Sequence, residues 1–284
     1  MPRRQLGRHL RELRQESGLT IAEVARLIER GAGTVQRLET GTPHRIRLLD
    51  IEALCRVLHA DQTLTDAMMG LARQGNDPSW WHEYGDLIPE GFDVYIGLEA
   101  AAASSTSYGI IVPGLLQTPS YAEVMIRTVY PDNESSDISR RVQMRLHRQK
   151  LVTRTWRPMH ATVLLDEHAL HRVVGSPAIM SQQLRHLADL STRENIEVRV
   201  VPFNAASPLG DVIGPYFILD FAPDAKGTSE PPVVHLESFT GSLYLEQSES
   251  VERYRMAHRA LTRVALNPQQ TRDLLRQAAR RYVR

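Results

Sequence analysis

The sequence predicts an α+β protein of two domains: an all-α N-terminal domain of five short helices, then a larger mixed α/β domain whose sheet lies in its second half. The length of 284 residues suits two domains. Apolar residues recur at helical spacing from residue 6 to residue 73. Runs rich in β-branched residues, which indicate strands, begin only after residue 158.

Composition and charge narrow the class of protein. The single cysteine, Cys55, excludes a disulfide framework and a four-cysteine zinc site. There is no window of about 18 apolar residues and no apolar N-terminal segment, so we expect a cytoplasmic protein that does not enter a membrane. Residues 1–47 contain 10 Arg and 5 Glu, whereas the rest of the chain has 24 basic and 28 acidic residues. A basic segment on a mildly acidic body is typical of a polyanion-binding module.

The helices of the N-terminal domain follow from periodicity and caps. The first has apolar residues at i, i+4 and i+7, namely Leu6, Leu10 and Leu13. Thr20 and Glu23 fit a capping box that begins the second helix, which we expect to stop before Gly31. A third short helix ends at Gly41. Two further apolar-periodic stretches complete the domain: residues 48–58 and 64–71.

A change of composition after residue 73 marks a domain boundary. The polar stretch 74–79 contains Gly and Pro, and we expect it to link domains at 1–73 and 80–284. Residues 80–153 have mostly helical patterns, interrupted by a serine-rich stretch at 104–107. Strands are predicted at residues 160–165, 196–203, 216–221, 233–239 and 242–245. Further helical patterns cover residues 168–174, 177–191 and 248–282, the last split at Asn267-Pro268.

Residues 20–41, TIAEVARLIERGAGTVQRLETG, are the most informative stretch. They resemble, without gaps, the helix-turn-helix of lambda-repressor-like (XRE-type) DNA-binding domains. The resemblance implies that Ala25 is small because the two motif helices cross there, and that Val35 and Leu38 anchor the recognition helix. Glu39-Thr40-Gly41 matches the closing E-x-G of these domains. One departure concerns the turn, where Glu29 replaces the usual glycine and Gly31 follows two residues later.

The resemblance also implies which residues contact DNA. Matching positions place five residues of the recognition helix toward the base edges: Ala32, Gly33, Thr34, Gln36 and Arg37. We expect direct readout from Arg37 on guanine and Gln36 on adenine, assisted by Thr34. Three further residues are suited to phosphates: Thr20, Arg45 and Arg47. The alternative is an ordinary helical bundle with surface arginines.

The body extends the resemblance to nearly the whole chain. Segments in matching order resemble the actinobacterial antitoxin-like regulators of the WhiJ-like group, above all residues 112–122, 141–149 and 164–170. This implies a sequence-specific, homodimeric transcription regulator of double-stranded DNA whose C-terminal domain senses a small ligand or binds a small protein encoded by an adjacent gene. An alternative is an antitoxin-like protein that mainly binds a cognate protein and uses DNA binding for autoregulation.

Two features of the body allow other interpretations. Asp166-Glu167-His168 with His171 suggests a metal or hydrolase site, and with it an enzyme carrying a DNA-binding head. Because the cluster follows an apolar strand, we favour Asp166 as a helix cap. Cys55 lies on an apolar helix face, which favours a buried core thiol over a redox sensor. We therefore predict no enzyme, no metal and no cofactor.

Aromatic residues gather just after the predicted linker. Trp80, Trp81 and Tyr84, followed by Phe92 and Tyr95, are the densest aromatic group. We predict ligand or partner contacts at five positions of the body: Trp80, Trp81, Tyr84, Leu115 and Leu116. The alternative is that the aromatic residues are core and that the protein's own body covers the apolar loop.

Overall fold

The chain folds into two compact units, Met1–Glu83 and Tyr84–Arg284. The computed structural model describes residues 2–43, 45–76, 80–89, 91–205, 209–223, 229–238 and 240–283. The border between the units falls after residue 83, whereas the composition predicts the first domain to end at 73. Residues 77–79 of the predicted linker lie outside the described residues.

The first unit is helical, as the periodicity predicts. Its described residues form five α-helices: α1 (Pro2–Glu16), α2 (Ile21–Leu27), α3 (Ala32–Thr40), α4 (Leu48–Val57) and α5 (Gln62–Asn76). Their apolar faces meet in one core that includes Leu6, Leu10, Val24, Ala25, Val35, Leu38, Ile51, Leu54 and Met68. Cys55 lies in this core with its Sγ 3.7 Å from Sδ of Met68, and burial raises the pKa of the thiol. These contacts agree with a core thiol.

The end of α5 extends past the predicted domain boundary. The helix continues to Asn76, whose side-chain oxygen accepts a hydrogen bond from the N–H of Ile46 at 2.9 Å. The amide of Asn76 also donates to the Ile46 carbonyl at 2.6 Å. Arg3 donates to the carbonyl of Gly75 at 2.7 Å. These long-range bonds hold residues 75 and 76 against the first unit, although their composition is typical of a linker.

The second unit contains a mixed sheet. Within the described residues its six strands are β1 (Ser104–Gly109), β2 (His160–Asp166), β3 (Ile196–Val201), β4 (Tyr216–Asp220), β5 (Val233–Ser238) and β6 (Gly241–Leu245). Their order is β3-β2-β1-β4-β5-β6. β1, β2 and β3 pair in parallel, and β4, β5 and β6 continue the sheet in antiparallel pairs. The sheet therefore lies mostly in the second half of the chain, as predicted.

The serine-rich stretch 104–107 is the beginning of an interior strand and not an interruption between helices. Ser104 to Gly109 pair in register with β2, and Ser104 to Tyr108 pair with β4 on the other side. Ser105 and Ser107 are buried at 5% and 4% exposure. Because the segment has few β-branched residues, its local pattern does not indicate a strand. Backbone pairing on both edges specifies it instead.

The helices of the second unit lie before, between and after these strands along the chain. They are α6 (Phe92–Ala101), α7 (Pro119–Val129), α8 (Ser135–Thr153), α9 (His168–His171), α10 (Pro177–Leu190), α11 (Leu209–Ile213), α12 (Ser248–Val264) and α13 (Pro268–Arg281). Thr118 caps α7, and Pro119 lies in the first turn of the helix. Asn267 and Gln270 form a capping box at the start of α13. The run predicted as strand 196–203 ends at Val201, because Pro202 has no N–H to donate to a ladder.

Length and hydropathy decide whether a helix can span a bilayer. No helix among the described residues is long and apolar enough to cross a membrane.

Candidate nucleic-acid interface

The segment from α2 to α3 is a helix, a tight turn and a second helix. Thr20 begins α2 with the predicted capping box: its hydroxyl accepts from the N–H of Glu23 at 3.2 Å, and the Glu23 carboxylate accepts from the N–H of Thr20 at 2.8 Å. After α2, Glu29 adopts a left-handed conformation with φ +54°. Gly31 is extended at the start of α3, with φ −73°. Glu29 therefore occupies the left-handed position of the turn, and Gly31 does not adopt a left-handed conformation.

The residues of α3 divide between two faces. Val35, Leu38 and Glu39 are buried. Five positions are exposed: Ala32, Gly33, Gln36, Arg37 and Thr40. At 3.6 residues per turn these positions cover an arc of about 140°. Four of the five residues predicted to face the bases lie on this arc, and Thr34 lies half-buried at its edge.

Two glycines allow α3 to lie close to α1. A Cβ on Gly7 would be 2.5 Å from the carbonyl oxygen of Leu38, and one on Gly41 would be 2.8 Å from Cα of Arg4. Gly41 also has φ +72° and ends α3 as its left-handed cap. Gly41 thus allows both the left-handed end of α3 and the close crossing of α3 with α1. The helix end and the crossing together set the direction of the exposed face.

Arg37 rests against the first turn of α3. Its Nη2 makes a long contact of 3.5 Å with Oγ1 of Thr34. A Cβ on Gly33 would lie 3.3 Å from Nη1 of Arg37, so the glycine leaves room for the guanidinium beside the helix. Gln36 is exposed, and its side chain makes no hydrogen bond with a described residue. Both expected readout side chains are therefore available on the same face.

Some arginines of the first unit pair with buried carboxylates, and others are exposed without an ion pair. Arg14 and Arg30 pair with the buried carboxylates of Glu39 and Asp50 at 2.6 Å and 2.9 Å. These hydrogen bonds raise the pKa of each of the two guanidinium groups. Five other arginines are exposed and make no ion pair with a described residue: Arg26, Arg37, Arg45, Arg47 and Arg73. Their positive charge remains available for phosphate groups.

The predicted phosphate contacts differ in their surroundings. Arg45 and Arg47 are exposed, and Arg47 immediately precedes α4. The hydroxyl of Thr20 instead donates to Oε2 of Glu23 at 2.7 Å. Hydrogen bonds from the backbone N–H and then from the hydroxyl of Thr20 lower the pKa of Glu23, which keeps this carboxylate ionised. A phosphate at Thr20 would have to displace Glu23 from that hydroxyl.

Three exposed residues of this region were not among the predicted DNA contacts: Arg26, Thr40 and Thr42. Arg26 lies in the last turn of α2. Thr40 shares the exposed face of α3, and its hydroxyl lies 2.8 Å from that of Thr42 just beyond the helix. The spacing of Thr40, four residues after Gln36, places both on one helical face and was the available signal.

The predicted ligand or partner residues lie in both units, although the sequence placed all of them in the second domain. Trp80 and Trp81 belong to the first unit, where their rings meet edge to face at 5.7 Å, and Tyr84 begins the second unit. Leu115 and Leu116 are buried, at 7% and 0% exposure. The second unit itself covers the apolar loop, and the ligand or partner contact at Leu115 and Leu116 stays a prediction.

The acidic and histidine cluster at the end of β2 is bonded within itself and to Tyr108 and Phe203, whose O–H and N–H donate to Asp166 and Glu167. Asp166 accepts from the N–H of His168 at 2.9 Å, although Glu167 and not Asp166 holds the N-cap position of α9. Glu167 lies 3.2 Å from Nε2 of His171, and Nε2 of His168 accepts from Arg172 at 2.8 Å. No group of three or more such side chains in the described part of the chain is arranged to hold a metal ion.

A second set of polar residues is buried in the second unit. Arg148 on α8 donates to both carboxylate oxygens of Glu99 on α6, at 2.6 Å and 2.8 Å, and Tyr95 donates to the same carboxylate at 3.0 Å. The ring of His235 on β5 lies 4.3 Å from that of Tyr95. Burial, and then the charge of Arg148, lower the pKa of His235 to about 4. This cluster holds α6 and α8 together beside the sheet.

The geometry of α2 and α3 is that of a helix-turn-helix domain. Comparison with known families shows which families the two units match. Residues 5–68 match the family described as a helix-turn-helix domain, which supports a DNA-binding regulator. Residues 92–277 match the family described as a domain of unknown function (DUF5753). Because this match covers more than half of the chain, the protein belongs to the DUF5753 family. Neither the curated proteins nor the solved structures contained a match to the chain.

Proposed function

We propose that the protein is a sequence-specific, XRE-type transcription regulator that inserts α3 into the major groove of double-stranded DNA. The observation that carries this proposal is the exposed arc of α3, which has Gln36 and Arg37 at its surface and a buried face fixed against α1. An α-helix fits the major groove, where the donor and acceptor pattern of each base pair is distinct. Arg26, Arg45 and Arg47 supply exposed positive charge for the phosphates.

The division of roles within α3 follows from side-chain chemistry. Arg37 reads guanine through O6 and N7, and Gln36 reads adenine through N6 and N7. Ala32 and Gly33 have no side-chain hydrogen-bonding groups, so their part is close contact with the groove. Arg45 and Arg47 position the unit on the backbone without reading sequence.

For the whole chain we propose that the protein is a homodimer and that it belongs to the actinobacterial WhiJ-like group. We also propose that it has no enzymatic activity. Two copies would read half-sites about 10 bp apart, one helical turn of DNA. The second unit would dimerise and respond to a small ligand or a small partner protein. The resemblance of segments such as residues 112–122 and 141–149 supports this assignment. The second-ranked alternative is an antitoxin-like protein that mainly binds a cognate protein and uses DNA binding for autoregulation.

The test is the binding of full-length protein to the DNA upstream of its own gene and to random DNA, at two salt concentrations. Arg37→Ala should remove the preference for the upstream DNA and cost about 1–3 kcal/mol at a single base-pair position. Arg56→Ala is the matched control, because Arg56 is exposed on α4 and lies outside α3.

Two results would contradict the proposal. Equal loss by Arg37→Ala on upstream and random DNA would exclude base readout by this residue. If the protein showed no preference for any DNA but bound the product of a neighbouring gene, the antitoxin-like alternative would replace the regulator. Sedimentation of the protein with and without DNA checks the dimer.

A further inference from the structure

The second unit has a marked separation of charge at its C-terminal helix. Residues 84–284 contain 22 basic and 22 acidic residues, so the unit has no formal net charge. Helix α13 nevertheless carries four arginines and one acid: Arg272, Arg276, Arg280, Arg281 and Asp273. Its buried residues, Thr271, Leu275, Ala278 and Ala279, face inward, and the helix packs against α10. Arg276, Arg280 and Arg281 are exposed on the outer side of the helix, whereas Arg272 is half-buried and donates to the carbonyl of Ser191.

Two of the α13 arginines and one arginine of α10 surround one surface cleft. Arg185 and Asp189 on α10, with Arg276 and Arg280 on α13, line a cleft of about 270 Å³. All four side chains are exposed. None of the three arginines makes an ion pair with a described residue, and Asp189 is four residues from Arg185 without pairing with it.

Unpaired arginines around one cleft require a physical reason. Arg276 and Arg280 are four residues apart on one helix, where like charges repel and destabilise the helix. Two guanidinium groups of the second unit, those of Arg148 and Arg140, are compensated by the carboxylates of Glu99 and Asp86. An arrangement that keeps three guanidinium groups together without that compensation suits an anion with several oxygens.

From this cleft we propose a phosphate-binding site, formed by Arg185, Arg276 and Arg280 between α10 and α13. The planar guanidinium donates two parallel hydrogen bonds to a phosphate, which makes arginine suited to this anion. Asp189 is the one acid among the residues that line the cleft, and its charge opposes anion binding there. The phosphate could belong to a free phosphorylated small molecule or to the backbone of DNA, and only the second source rests on the proposed function.

The first arm of the test uses inorganic pyrophosphate and full-length protein, with binding measured by calorimetry. Arg276→Gln together with Arg280→Gln should weaken binding by about tenfold for each arginine removed, because each loses a charge-assisted hydrogen bond. Asp189→Asn should strengthen binding. Arg281→Gln is the matched control, an exposed arginine of the same helix that does not line the cleft.

The second arm uses a random DNA duplex and a salt titration. If the DNA backbone occupies the cleft, Arg276→Gln with Arg280→Gln should reduce the slope of log K against log salt by about two units, and Arg281→Gln should not. Tight pyrophosphate binding with an unchanged DNA slope would assign the site to a free phosphorylated molecule. If the double variant matched Arg281→Gln in both arms, the proposal would be wrong. Since pyrophosphate binding needs no operator, its outcome is separate from a failure of DNA recognition.

Discussion

Arg14 on α1 and Glu39 on α3 form a two-point ion pair in the first unit. Nε of Arg14 lies 2.6 Å from Oε1 of Glu39, and Nη2 lies 2.9 Å from Oε2. The Glu39 side chain is only 3% exposed, and Arg14 also donates to the carbonyl of Leu19 at 3.0 Å. The acidic residue of the closing E-x-G therefore joins the exposed helix to α1 and does not face the proposed DNA surface.

Removal of the Glu39 carboxylate should destabilise the first unit. Glu39→Ala leaves the guanidinium of Arg14 without its buried partner, which should lower the free energy of unfolding by about 3 kcal/mol. Hydrogen–deuterium exchange of α1 and α3 amides measures this separately from the second unit. Glu12→Ala, at an acid of α1 with a 61% exposed side chain, is the control and should change stability by less than about 0.5 kcal/mol. Equal effects of the two variants would show that the Arg14–Glu39 pair does not hold α3.

Two left-handed glycines of the first unit, Gly18 and Gly41, should differ in their tolerance of alanine. Gly18 has φ +68°, and a Cβ added there would have nothing within 4 Å, so Gly18→Ala should cost only the backbone strain, about 1 kcal/mol. Gly41→Ala adds a collision at 2.8 Å with the Arg4 backbone and should cost about 1–3 kcal/mol more. Hydrogen exchange of the first unit again gives both values. Similar losses would show that α1 and α3 can separate at no cost.

Replacing Glu29 by glycine should raise the stability of the protein. The φ of +54° at Glu29 costs a residue with a Cβ roughly 1–2 kcal/mol, so Glu29→Gly should raise stability by about 1 kcal/mol after the entropy of the unfolded chain is counted. His59→Gly, at φ +55°, is the matched control outside the helix-turn-helix and should give a similar gain. A loss of stability in Glu29→Gly with a gain in His59→Gly would mean that the Glu29 side chain makes a contribution of its own.

A phosphate contact at Arg45 should appear in the salt dependence of DNA binding. Arg45→Ala should weaken binding to all sequences alike and reduce the slope of log K against log salt by about one unit. Arg45 is exposed and makes no ion pair with a described residue, so folding should be unaffected. Titration of upstream and random DNA measures both effects. An unchanged slope would exclude the contact.

Acid should destabilise the second unit through buried histidines. Burial, and then Arg148, lower the pKa of His235 to about 4, below the value of about 6.5 in an unfolded chain. Because the folded protein keeps His235 neutral, the contribution of this residue to the free energy of unfolding is complete above about pH 6.5. That contribution is lost as the pH falls toward 4. His235 alone should contribute about 3 kcal/mol to the loss at pH 4, measured by urea unfolding.

The variant His235→Phe tests that assignment. Neither ring nitrogen of His235 has a hydrogen-bond partner in the described part of the chain, and the rings of Tyr95 and Tyr244 lie against it. Phenylalanine should therefore keep the stability at pH 7 and flatten the decline toward pH 4. His258→Phe is the contrasting variant, because it also loses the 2.9 Å hydrogen bond between Nδ1 and Tyr216. An unchanged acid decline in His235→Phe would assign the destabilisation to other groups.

Local chemistry made the helix-turn-helix recognisable in the sequence. The capping box of Thr20 and Glu23 and the apolar spacing of Val35 and Leu38 each depend on residues within one turn of one another. The exposed positions of α3 follow from the same periodicity. The left-handed conformation of Glu29 also falls where family positions place a turn glycine, although glutamate gives no local signal for it.

Long-range contacts set the remaining features, which no short window of sequence contains. Ser104–Gly109 is an interior strand because β2 and β4 pair with its two edges, from residues more than 50 positions away. Gly75 and Asn76 have the composition of a linker, yet Asn76 bonds to Ile46 across the first unit. The arginine cleft likewise needs α10 and α13 to pack together, since Arg185 and Arg276 are far apart in the chain. Periodicity and caps report a residue's own helix or strand, whereas pairing, burial and clustering depend on which distant segment the fold brings beside it.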